Sequence, residues 1–411
     1  GAAQRPRGTQ GQHREAVARK VSNGKYRMYY SIVITNYIQT GKPEIENNGN
    51  FDGSWTERAF IGLMETSDPA SNIWEDKGFV VCSASDKGKT DYGRSSINDW
   101  EGYFKINAID PTYIITENGE HWLIYGSWHS GIAALQVNPE DGKPLNALGN
   151  PWDITGEDNS GYGKIIATRG TSRWQASEGP EVIYRDGYYY LFLAYGSLSV
   201  EYNTRVCRSK NIDGPYVDIH GNSAMGSAQL YPILTAPYRF DNSYGWVGIS
   251  HCGIFDDGAG NWFYTSQGRF PVNVGGNEYS NAIMMGHVRS IRWDANGWPL
   301  VMPERYGAVP QAPITENEIA GDWEHLALTN NTGTQRTSET MTYDLDTHKI
   351  TSGSWKNATW TFDAATQTIT TSAGVVLYLQ REVDWEASPR THTIVYAAQG
   401  NQKTYWGKKL Q

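Results

Sequence analysis

The chain has 411 residues, more than one ordinary core accommodates, so two domains are expected. Its net charge of −9 and modest 19% of charged residues supply no basic phosphate-binding surface, which argues against nucleic acid. No apolar run reaches the roughly 18 residues a membrane helix needs, and no signal peptide is visible, although a mature chain would lack one.

The sequence is rich in aromatics, with 16 Trp, 26 Tyr and 10 Phe, and in glycine, with 44. That combination favours short strands and tight turns. Most of the rings are expected to fill the core, and some have the flat faces on which sugar C–H groups pack. Cys82, Cys207 and Cys252 are odd in number and lack metal-ligand or disulfide-framework spacing, so all three are read as small buried residues.

Residues 1–20 are basic, Gln-rich and poor in large apolar side chains, and stand apart as an atypical segment. A pattern then recurs: a turn dipeptide followed by an aromatic strand. Asn23-Gly24 leads into KYRMYYS, Asn118-Gly119 into EHWLIYGS, Asp186-Gly187 into YYYLFLAYGS and Asp257-Gly258 towards NWFYTSQG. The last three turns recur at intervals of about seventy residues. The first interval is longer and carries a polar insertion around KPEIENNGNFDGSW. Each hairpin is followed by a third strand (AFIGLME, GIAALQV, TRVCRSK, AIMMGHV), and in three units by a Trp- or Tyr-bearing fourth segment (NIWEDKG, NPWDITG, GPYVD). RSIRWDANGWPLVMPERYG reads as the outer part of the last unit.

Repeated four-stranded units predict a β-propeller over residues 21–309; coil periods are too short for a β-helix. Residues 310–313, PQAP, form a stiff linker. Residues 314–411 alternate in short strands and predict a small β-barrel or sandwich. It has few clustered carboxylates in sequence, so a supporting or binding role is expected rather than a catalytic one.

Glycosidic cleavage needs one protonated and one ionised carboxylate. The useful positions in a propeller lie where the innermost strands begin. Asp110, in NAIDPTYII, and Glu178, in ASEGPEVIY, hold equivalent places in consecutive units, with Glu181 three residues on. Taken singly, Asp110 before Pro is an ordinary turn residue and Glu178 a solvated loop acid. Matched positions in a repeat favour a shared mouth, where repulsion keeps one acid protonated. His251, in GISHCGIFDD, sits at the corresponding entrance of a later unit, as either a structural imidazole or a ligand. No second His lies at metal spacing, so any ion there is a hard one completed by water. Trp128, in YGSWHSGI, is either a sugar-stacking platform or a packing residue.

Together these motifs resemble glycoside hydrolase family 43, in particular its arabinanase branch. The resemblance covers nearly all of the chain after residue 20. It implies an all-β fold: a five-bladed propeller, its first blade unrecognisable here, followed by a lipocalin-like barrel from GDWEH to YWGKKL. It implies Glu178 as general acid, Asp110 as the group that tunes and orients it, and Trp128, Ser127 and Asn107 as substrate contacts. His251 maps to the residue near a channel cation, calcium or else sodium, held largely through water. The implied activity is inverting, endo-acting hydrolysis of α-1,5-linked arabinan by a monomeric secreted, periplasmic or cell-surface enzyme. Exo-acting arabinofuranosidase or β-xylosidase activity is the first alternative, and a non-catalytic arabinan-binding protein the second. The second arises because the family's general-base Asp, in a HisAspPro-like motif, has no counterpart: residues 1–51 contain no Asp. A base Asp outside the recognised motifs is the expectation. Trp128 and His129 also replace a family Phe-Trp pair.

Overall fold

The computed structural model describes residues 16–20, 23–33, 59–84, 106–149, 161–170, 177–226, 229–240 and 243–411. Three polar stretches raised above lie outside them: residues 1–15, the KPEIENNGNFDGSW insertion and NPWDITG.

The first sheet contains β1 (Ala16–Lys20), β2 (Tyr26–Val33), β3 (Ala59–Thr66) and β4 (Glu75–Cys82), hydrogen-bonded in chain order. The Asn23-Gly24 turn joins β1 to β2, with the Asn23 side chain accepting from the Lys25 amide at 3.1 Å and Gly24 at φ 79. The final five residues of the atypical leading segment are therefore a strand of this sheet. The second sheet has the same up-and-down order: β5 (Thr112–Ile115), β6 (His121–Tyr125), β7 (Ile132–Val137) and β8 (Lys164–Ala167). Tyr29, Leu63, Tyr113, Leu123, Tyr125 and Leu135 from these sheets bury one another in a single apolar cluster.

The third sheet consists of β9 (Ser177–Arg185), β10 (Tyr188–Tyr195), β11 (Asn203–Ser209) and β12 (Ile233–Thr235). Asp186 at φ 48 and Gly187 at φ 82 form a two-residue turn of the mirror type that right-twisted hairpins favour. After β13 (Tyr238–Arg239), a fourth sheet runs β14 (Gly253–Asp256), β15 (Trp262–Arg269), β16 (Met284–Trp293) and β17 (Pro299–Val301).

The fourth strands depart from expectation. NIWEDKG contributes only its last four residues to β4. GPYVD forms isolated bridges at Val217, and the outer place goes to β12 sixteen residues later. The reason is local: the Asp218 carboxylate accepts from the amides of His220, Asn222 and Tyr231, which curls this stretch into a turn.

The C-terminal strands are β18 (Gly321–Leu328), β19 (Arg336–Thr337), β20 (Glu339–Asp344), β21 (Lys349–Ile350), β22 (Trp360–Asp363), β23 (Thr368–Thr371), β24 (Val376–Asp384), β25 (Thr391–Gly400) and β26 (Lys403–Lys409). Eight of them form one sheet ordered β21-β20-β18-β26-β25-β24-β23-β22, while β19 pairs in parallel with β13. A bridge between Lys349 and Thr359 brings the ends of that sheet together, so it is a nearly closed barrel. Trp323, Tyr343, Trp360, Leu377 and Tyr396 fill it. The short α1 (Glu316–Ile319) precedes β18 and is capped reciprocally by Thr315 and Glu318.

By density of contacts the chain forms two compact units. The first holds residues 1–184, 209–216 and 224–228, and the second holds the remainder, including the barrel. Within the second unit the barrel is fixed to strands β12 and β17. The Trp406 indole donates to the Val301 carbonyl at 2.9 Å, the Thr404 hydroxyl donates to the Ile233 carbonyl, and Leu300, Leu326, Val395 and Trp406 share one apolar cluster. All three cysteines are buried thiols outside any disulfide.

Candidate active site

The candidate site in the first unit grows from two chain segments that leave regular strand geometry where β5 and β9 begin. Asp110 lies two residues before β5, at φ 56, and is buried. A non-glycine residue in the left-handed region is uncommon, although Asp and Asn tolerate it better than most. The kink turns the Asp110 carboxylate towards β9, where Oδ2 accepts from the Gly179 amide at 3.0 Å. Gly179 is itself at φ 56, next to Glu178. The two candidate acids are thus brought to one place, with the carboxylate of the first holding the backbone beside the second.

Glu178 is partly buried on the second position of β9. Its Oε2 accepts from the Ser127 hydroxyl at 2.9 Å and from the Trp128 indole N–H at 3.1 Å. Those donors come from the loop after β6, which reads YGSWHSG. Trp128 at φ 59 and Ser130 at φ 60 are left-handed, between Gly126 at φ 134 and Gly131 at φ 104. The loop is anchored at both ends: the Gly126 amide donates to the Ile109 carbonyl at 3.0 Å and the Trp128 amide to Ser177 at 2.9 Å. A side chain on Gly131 would run into the Ala167 carbonyl, so only glycine fits there.

Two further residues of these segments have partners of their own. Asn107 is partly buried, and its Oδ1 accepts from the Ser83 hydroxyl at 3.0 Å. Glu181 is buried and accepts from the Thr112 hydroxyl at 3.2 Å. The direct engagement of Glu178 by Ser127 and Trp128 was not foreseen from the sequence, where both residues were read as substrate contacts. The signal that pointed to it is the pair of glycines bracketing the loop.

His251 belongs to the second unit. It lies two residues before β14 at φ 59, the same backbone conformation and offset as Asp110 before β5. Its Nδ1 is 3.3 Å from the Tyr202 hydroxyl, and the ring is partly buried. Beneath it Ser250, Thr204, Thr235 and Tyr264 form a buried hydroxyl network, with Thr204 within 2.8 Å of both Ser250 and Tyr264. Among the described residues, the one grouping of three potential metal ligands is Glu304, Asp384 and Glu386, which does not include His251. The protein therefore offers a cation at His251 one imidazole and no clustered carboxylates among the described residues.

The sequence matches the family described as "Glycosyl hydrolases family 43" over residues 4–299, and a "C-terminal lipocalin-like domain" over residues 303–407. It is 27% identical over 327 residues to the "Extracellular endo-alpha-(1->5)-L-arabinanase 2" of Bacillus subtilis, covering 74% of this chain and 60% of that one. It is 31% identical over 239 residues to the "Extracellular endo-alpha-(1->5)-L-arabinanase" of Thermotoga petrophila, covering 54% of this chain and 46% of that one. The chain thus spans about half to three-fifths of the length of these relatives. The crystal structure of endo-1,5-alpha-L-arabinanase from Thermotoga petrophila superposes with a TM-score of 0.72 at 24% identity, covering 96% of this chain and 83% of that one, a likeness of fold. The fold class is therefore the expected one: an all-β, five-bladed propeller type, four of whose sheets lie among the described residues, followed by a lipocalin-like barrel.

Proposed function

The chain belongs to glycosyl hydrolase family 43, and from that premise we propose that it hydrolyses α-1,5-linked L-arabinofuranosyl bonds in arabinan, with Glu178 as the general acid. The observation that carries this reading is the convergence of Asp110, Ser127 and Trp128 on Glu178 and its backbone neighbour. A general acid must present its proton in a fixed direction. Ser127 and Trp128 both donate to Oε2 and so fix the carboxyl group whose proton is transferred. In the proposed step this proton passes to the leaving sugar oxygen as the glycosidic C–O bond breaks. A water attacks the opposite face of the anomeric carbon and gives its proton to a base carboxylate, inverting the configuration. That base is an Asp outside the motifs recognised in the sequence. Asp110 is a positioning residue, because it holds the Gly179 amide and so the direction of Glu178. Asn107 lies on the same segment as Asp110 and is assigned to the sugar.

His251 is assigned as a protein ligand, through Nε2, of a hard and largely hydrated cation, calcium or sodium. Such an ion would supply fixed positive charge and ordered water. The extracellular relatives support a secreted, periplasmic or cell-surface location. The polymer itself rests on the same relatives.

Glu178→Gln should remove release of arabino-oligosaccharides from linear arabinan while leaving the circular dichroism spectrum unchanged. Release at the parent rate would remove Glu178 from the mechanism. A product time-course separates the two modes of attack: an endo mode gives a ladder of oligosaccharides in the first minutes, and monosaccharide alone from the start would replace it by an exo mode.

A further inference from the structure

The second unit contains a cleft of about 660 Å³ between the last propeller sheet and the barrel. Its size falls in the range of small-molecule and oligosaccharide sites. One wall presents Trp262 and Trp293, packed edge to face with centroids 5.4 Å apart. Tyr306 stands beside them against Phe263 at 5.0 Å and is 42% exposed. The opposite wall comes from the barrel and includes Gln380.

The charge of the lining narrows the ligand. None of the residues lining the cleft is a carboxylate, and the one that is charged is Arg292. Its guanidinium already donates to the carbonyls of Thr366, Gln367 and Leu379, at 3.0, 3.1 and 2.6 Å. An anionic ligand would find no uncommitted cation, and a cationic one no acceptor charge. A neutral, hydroxyl-rich ligand meets what the cleft offers: aromatic rings for its C–H faces and the Gln380 side-chain amide for its hydroxyls.

We propose that this cleft is a second, non-catalytic carbohydrate site that holds a segment of a neutral polysaccharide chain. The identity of the polymer as arabinan rests on the function proposed above; the existence of the site does not. Holding a segment at a fixed second point raises the local concentration of polymer without altering the chemical step.

The test is affinity electrophoresis of the full chain carrying Glu178→Gln, in native gels cast with linear arabinan, xylan or galactan. The parent should be retarded by at least one polymer. Adding Tyr306→Ala should weaken that retardation roughly threefold to tenfold, the worth of one lost ring contact. Trp262→Ala, checked for its unfolding midpoint, should do the same. With Glu178 intact, Tyr306→Ala should leave kcat/KM on a short arabino-oligosaccharide unchanged. Retardation unaffected by both substitutions, or no retardation of the parent in any gel, overturns the proposal; a protein partner would then be the better occupant. An equal fall in kcat/KM on the short substrate also overturns it, because the effect would then belong to the catalytic site. Retardation that depends on Tyr306, together with no cleavage of arabinan by the chain with Glu178 intact, would sustain the cleft and sink the proposed function.

Discussion

Asp110, Trp128 and His251 share an unusual property: each is a non-glycine residue held at φ between 56 and 59. Conformations of this kind cost roughly 1 kcal/mol or more each and persist where the surroundings over-determine them. At Asp110 and Trp128 the surroundings are visible, because both kinks end in hydrogen bonds at or beside Glu178. If the Ser127 and Trp128 donors orient the acid, their loss should show in the chemical step more than in binding. Ser127→Ala and Trp128→Phe, which keeps a ring and removes the N–H, should each lower kcat on linear arabinan by about tenfold with KM little changed. A rise in KM at constant kcat would instead identify Trp128 as a sugar platform, the role its sequence context suggested.

The loop between β6 and β7 shows how an element places such residues. Gly126 and Gly131 permit backbone conformations closed to other residues, and both have neighbouring carbonyl groups where a side chain would sit. Gly131→Ala would combine a strained φ with a clash against β8, so it should cost about 2 kcal/mol or more of stability. It should also lower activity, because Trp128 shifts with the loop. Urea unfolding monitored by Trp fluorescence checks the first part; an unchanged midpoint would mean that β8 yields at no cost. The hairpins and third strands were legible in the sequence because turn dipeptides and aromatic alternation are local signals. Strands β8 and β12, of only three or four residues, carry too little pattern to be read and are selected by the strand they pair with. Asp110 and Glu178 were legible because they occupy matched places in a repeat. The Ser127 and Trp128 contacts were not, because they depend on left-handed backbone that composition does not announce.

At the scale of the whole second unit, the least legible feature is ionic. The barrel sequence shows no run of acids, yet the fold gathers Glu304, Glu324, Asp384 and Glu386 around the buried Lys408 ammonium, at 3.3, 3.6, 2.9 and 2.7 Å. The expectation of few clustered carboxylates therefore fails in space, because these residues lie up to 82 positions apart in the chain, from 304 to 386. Burial works against the Lys408 charge, but Glu304 and Glu386 hold its pKa above the usual lysine range. Burial and the neighbouring Glu386 carboxylate push the Glu304 carboxyl well above the usual range, while for Glu386 the hydrogen bond with Glu304 and the Lys408 charge outweigh burial and lower it. Removing the cation from such a cage leaves uncompensated buried charge, so Lys408→Met should destabilise by about 3–5 kcal/mol.

The same groups set a pH window. Glu304 binds its proton more tightly folded than unfolded, so its contribution is complete below the ordinary carboxyl range and is lost as pH rises through the folded value. Burial also depresses His287 to about 2 and His325 to about 3. Their folded pKa values lie below the unfolded one, so their contribution is present above pH ~6.5 and declines as pH falls, by about 1.4 kcal/mol per unit for each. Calorimetric midpoints measured from acid to alkaline pH should therefore pass through a maximum and fall on both sides. Glu304→Gln, which keeps a donor towards Glu386, should flatten the alkaline side and leave the acid side intact. An alkaline limb of undiminished slope in that variant would show that the raised Glu304 carboxyl does not govern it.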